Sequence, residues 1–162
     1  MKKFDRDTAL ASWFFYQTYG VDKKVNTQQK LHYLRLLLAC AKADGDISPG
    51  EMDYFIGAAL ARGCTEEMVM TLIENEATID LSTEVVNFIK LNPNAKKSDV
   101  LSLLYSAMQV CAADGTYSTE EVNAVRKISS LLGISKEELQ KVEDFFAKDL
   151  SLKQEARTLF VG

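Results

Sequence analysis

A shift of 70 residues lays this chain onto itself without a gap. Leu31 falls on Leu101, Leu34 on Leu104, Ala43-Asp44-Gly45 on Ala113-Asp114-Gly115, Ser48 on Ser118, Glu51 on Glu121, Gly63 on Gly133 and Glu67 on Glu137, so that 31–73 repeats as 101–143. Apolar residues within each unit recur at steps of three and four, the period of a helix with one buried face. Each unit therefore reads as a long helix, an acidic turn, a second helix, a glycine stop and a third helix. A helical unit of this kind cannot bury both faces alone. The two are predicted to pack around one core, in an all-α single domain spanning 1–162.

Cap and stop residues give the element order. The first helix is predicted over 5–19, ending near Gly20, with Phe4, Leu10, Trp13 and Phe14 as its apolar face. The second is predicted over 27–43, a third from Ser48 to near Gly63, and a fourth from Thr65. Ser82 or Thr83 caps a fifth, Asn92-Pro93-Asn94 breaks the chain, and Ser98-Asp99 opens a helix reaching Ala113. Another follows Ser118 and stops at Gly133. Ser135-Lys136-Glu137-Glu138 is a capping box for the next, and a short C-terminal helix ends near Phe160. The aromatic residues of the first helix suit either packing on the core or a membrane-surface or partner-binding face. Packing is the expectation, because aromatic stripes at helical spacing usually belong to a core.

Composition excludes several classes of function. The net charge of −4 provides no basic footprint for nucleic acid. No apolar run is long enough for a membrane span, and the first residues do not read as a signal peptide. Cys40, Cys64 and Cys111 are odd in number and widely spaced, so they make no disulfide framework; they read as buried thiols of a cytoplasmic protein. His32, the one histidine, has no catalytic partner at motif spacing, and no nucleophile elbow, P-loop or dinucleotide motif is present. The expectation is a non-enzymatic protein without an organic cofactor.

The acidic turns carry the remaining signal. Five of the nine positions from Ala43 to Glu51 are identical in the second unit, whereas loops usually drift faster than cores. With Gly45 placed at the loop glycine of an EF-hand, Cys40 and Lys42 occupy the first two ligand positions, so these are not EF-hands. Ser48-Pro49-Gly50-Glu51 and Ser118-Thr119-Glu120-Glu121 are capping boxes, which explains serine and glutamate without a ligand. Capping does not explain Asp44 and Asp114, which follow a helix where its macrodipole disfavours negative charge. If the units pack as partners, Asp44, Asp46, Glu51, Asp114, Glu120 and Glu121 are candidates to converge. Carboxylates with water suit a hard divalent cation, Ca²⁺, Mg²⁺ or Mn²⁺.

The paired turns "ADGDISPGE" and "ADGTYSTEE", each after a long apolar helix, resemble the TerB-like family associated with bacterial tellurite resistance, whose relatives occur in DjlA-type co-chaperones. The resemblance covers about 28–150. It implies a helical fold around two long central helices, an acidic metal-binding surface, and a place in stress-response assemblies near the membrane. The matching acidic positions are Asp44, Asp46, Glu51, Asp114 and Glu121; Thr116 stands where Asp46 would be, a departure from a symmetric two-metal site. Two readings follow. One is a stress-response domain binding a divalent cation through its paired turns; the other is a metal-free helical scaffold for protein partners.

Overall fold

The computed structural model describes residues 5–23 and 26–161, and among these every regular element is a helix. In chain order they are α1 (Arg6–Tyr19), α2 (Thr27–Ala41), α3 (Pro49–Ala61), α4 (Glu66–Glu74), α5 (Leu81–Leu91), α6 (Lys97–Cys111), α7 (Thr119–Leu131) and α8 (Lys136–Phe160), with a short 3-10 turn at Glu76–Thr78. α2 and α6 are 15 residues each, and α3 and α7 are 13 each.

α2 and α6 are the centre of the molecule. Leu34, Leu36, Leu37, Leu38, Cys40 and Ala41 of α2 are buried, and so are Leu103, Leu104, Ala107, Met108, Val110 and Cys111 of α6. Consecutive buried residues mean that both helices are covered on nearly every side. Each fully buried leucine contributes about 1.5–3 kcal/mol relative to exposure. The two run side by side in one direction. Near their starts, the Tyr33 hydroxyl donates to the Ser102 carbonyl at 3.1 Å. α3, α5 and α7 pack on α2, while α3, α7 and α8 pack on α6.

Both central helices end two residues earlier than the sequence predicts. Ala43 N–H bonds to the Cys40 carbonyl and Gly45 N–H to the Lys42 carbonyl; Ala113 and Gly115 do the same with Val110 and Ala112. These i→i−3 bonds tighten the last turn and lead into Gly45 (φ 121°) and Gly115 (φ 95°). Asp44 and Asp114 therefore belong to the turns.

Three other expectations change. α5 is capped by Asp80, whose carboxylate accepts from the Thr83 N–H at 2.9 Å and the Thr83 hydroxyl at 2.9 Å, so neither Ser82 nor Thr83 is the cap. α6 opens at Lys97, with the Asp99 carboxylate accepting from the Lys96 N–H at 3.0 Å. The region after Ser135 is one 25-residue helix, with no separate C-terminal helix. No glycine or proline lies between 136 and 160 to interrupt it.

α1 lies across the end of α3. A Cβ on Gly63 would stand 2.4 Å from the Asp7 carbonyl oxygen, so glycine is required there by contact as well as by φ 74°. Phe15 is buried, but Trp13 is 59% exposed and Tyr16 65% exposed. The inward face is thus built on Phe15, not Trp13; Phe4 lies outside the described residues. Among the described residues no helix is long and apolar enough to cross a membrane.

Candidate functional site

Local sequence builds the frame of the site. Ser48 and Ser118 cap α3 and α7, each hydroxyl accepting from the N–H three residues on, of Glu51 at 3.3 Å and Glu121 at 3.2 Å. Each glutamate reaches back: Glu51 Oε2 accepts from Ser48 N–H at 2.7 Å, and Glu121 Oε2 from Ser118 N–H at 2.7 Å. Both predicted capping boxes are present. A capping glutamate normally stands in solvent. These two are buried, at 4% and 1% exposure.

They are buried against each other. The carboxyls of Glu51 and Glu121 lie within hydrogen-bonding reach across the two units. Burial raises the Glu121 carboxyl, the facing Glu51 group raises it further, and the Ser118 N–H opposes them; the result is about 7. Two like charges in one dry site cannot both ionise cheaply, so the Glu121 carboxyl holds its proton toward neutral pH. Among the described residues Glu121 Oε1 has no hydrogen-bond donor. A shared proton or a cation would supply what that atom lacks.

The cysteines flank the pair. Burial pushes the Cys40 thiol up to about 12, and the Glu121 charge adds to this. Cys111 is raised further, by burial first, then by Cys40, Glu121 and Glu51. Such thiols do not ionise at neutral pH and are poor nucleophiles.

Asp114 lies against the other unit. A Cβ on Gly50 would be 3.2 Å from both Cα and Cβ of Asp114, which places Asp114 at the N-terminal end of α3. Its carboxylate Oδ1 accepts from the Thr116 N–H at 2.8 Å and the Thr116 hydroxyl at 2.7 Å. Those bonds, with the nearby Ser48 hydroxyl, hold it below the usual carboxylate range. The dipole argument against an aspartate here is therefore corrected: the end of α6 disfavours the charge, and the start of α3 favours it.

The six candidate residues thus divide. Glu51 and Glu121 meet in the interior, and Asp114 sits at the edge of the first turn's capping box. Asp44, Asp46 and Glu120 are exposed. Among the described residues no three acidic, histidine or cysteine side chains gather in a cluster able to hold a metal.

Two buried charged groups were not singled out by sequence reasoning. Glu84 of α5 is 1% exposed and receives Arg35 of α2 at 2.7 Å, with His32 Nδ1 at 3.8 Å. Its signal is the 81, 84, 85, 88 stripe, in which an acid shares a face with Leu81, Val85 and Phe88. Arg62, which follows α3, is 5% exposed; a cation at a helix end is too common to mark it.

An all-helical domain with paired turns closed over a carboxyl pair is the class these observations define. The family model of tellurite resistance protein TerB matches residues 30–144, and the chain belongs to that family. It is also similar to a tellurite resistance protein from Nostoc punctiforme, known as a crystal structure. The two are 26% identical with a TM-score of 0.77, over 98% of this chain and 97% of that one. No curated protein matches the chain.

Proposed function

We propose that this TerB-family chain is a non-enzymatic stress-response module of the tellurite-resistance type, and that its paired acidic turns take up a divalent cation. Glu51 and Glu121 are the inner ligands in this reading. The observation that carries it is the orphaned Oε1 of Glu121 beside a second buried carboxyl. The donor chemistry fits a hard cation, Ca²⁺, Mg²⁺ or Mn²⁺, which needs oxygen ligands and tolerates water in the remaining positions. Asp114, beside the Ser48 cap, is the outer carboxylate in this reading, and a cation would take the place of the Glu121 proton. The raised thiols of Cys40 and Cys111 argue against a thiolate site for a softer metal.

Thermal melts in chelator and in millimolar Ca²⁺, Mg²⁺ or Mn²⁺ test this. An ion that binds only the folded state raises Tm with concentration, by RT ln(1 + [L]/Kd) in stability. Glu121→Gln should abolish the rise. No rise with any of the three ions overturns the proposal. A second reading, a metal-free scaffold for protein partners, is favoured by the exposed Trp13 and Tyr16, which share one face of α1. It predicts partner binding that survives chelator and is lost in Trp13→Ala.

A further inference from the structure

The opposite end of the central helices holds a cavity of about 260 Å³. It lies where α2 and α6 begin, about 20 Å along their axes from the acidic turns. A cavity of this size holds several water-sized groups and so has room for a small organic molecule. Phe15, Phe88, Leu91 and Pro93 form apolar parts of its wall.

Arg62 also lines this cavity. Its guanidinium sits 4.3 Å from the Phe14 ring centroid and 5.3 Å from that of Tyr33. It donates to the Ala58 carbonyl and the Ser106 hydroxyl, both at 2.8 Å. These acceptors are neutral and engage two of its five N–H donors. Among the described residues no carboxylate pairs with it, although the chain is acidic overall. A buried, unpaired cation is costly unless an anion joins it.

The other charges around the cavity are already engaged. Lys23 pairs with Asp99, and Lys30 Nζ donates to the Gly63 carbonyl at 3.0 Å. Lys30 keeps its charge and two donors, but it is partly exposed. One uncompensated buried charge beside an apolar wall selects a monoanion with an apolar body. A phosphate dianion would leave the aromatic wall unused and would face Asp99. Pockets of this kind, apolar with a few convergent polar groups, are the usual form of small-molecule sites.

We infer that the cavity is a binding site for a small organic carboxylate, its carboxylate group paired with Arg62 and its apolar body against Phe15 and Phe88. The site is independent of the acidic turns.

Titration of the full chain with benzoate and hexanoate, each to about 10 mM, tests this by calorimetry and by Tm. Benzamide is the uncharged control and inorganic phosphate the control for a bare anion. The expected result is saturable binding of at least one carboxylate, at least tenfold tighter than benzamide or phosphate, unchanged by chelator. Because Arg62→Lys risks the fold, Asn94→Asp at the exposed lip is the second variant. It should weaken the carboxylate about fivefold through like-charge repulsion while leaving the ligand-free Tm in place. Absence of carboxylate binding, equal binding of benzamide or phosphate, or affinity unchanged in Asn94→Asp overturns the inference.

Discussion

Glu121→Gln isolates the energetics of the carboxyl pair. The Glu121 carboxyl is raised to about 7 from an ordinary value of 4.5. A raised acid contributes its full stability below the unfolded pKa and loses it as pH rises through the folded pKa. The window is therefore about pH 4.5 to 7, with the loss complete above about pH 8. A shift of this size corresponds to about 3 kcal/mol at 1.36 kcal/mol per unit. Burial to 1% exposure leaves little solvent to screen it. In a chain of this length the loss lowers Tm by about 6–12 °C. Glutamine is neutral at every pH; its carbonyl can accept from Ser118 N–H and its amide can donate to Glu51. Urea unfolding of wild type and variant in chelator, from pH 5 to pH 8, gives the comparison. Taking the difference between the two proteins cancels groups they share. Wild type should fall relative to the variant by about 2.5 kcal/mol between pH 5 and pH 8. Parallel curves, or a wild type that gains on the variant as pH rises, would refute the reasoning.

Gly63→Ala should destabilise by about 2 kcal/mol or more, because it combines a left-handed backbone with a clash against the Asp7 carbonyl; hydrogen exchange should show α1 losing protection first. Glu84→Ala leaves Arg35, 23% exposed, without its partner and should cost about 3 kcal/mol in urea unfolding. Ser48→Ala removes the cap of α3 and should cost about 1 kcal/mol. It also removes the hydroxyl that helps to hold Asp114 low, so the Asp114 carboxyl should titrate higher by NMR.

What the sequence makes legible here is local. The Ser48, Ser118 and Ser135 capping boxes follow from residues three apart, and all three form. The burial of α2 and α6 follows from their leucine-rich stripes. What is not legible depends on contacts between units. A capping glutamate looks the same whether it faces water or another carboxyl, so the meeting of Glu51 with Glu121 has no sequence signal of its own. Asp114 looked misplaced because only its own helix was visible; the start of α3 supplies the missing partner. Trp13 and Phe15 are two residues apart in one aromatic run, and only the crossing of α1 over Gly63 decides which is buried. Arg62 is recognisable as a buried cation only once Phe14 and Tyr33 are seen around it.

The cation proposal is tested most directly by crystals grown with Mn²⁺ and measured for anomalous scattering. The account predicts one peak coordinated by carboxylate oxygens of Glu51 and Glu121, and its disappearance in Glu121→Gln. A peak at exposed carboxylates alone, or no peak between the two turns at millimolar Mn²⁺, would contradict it.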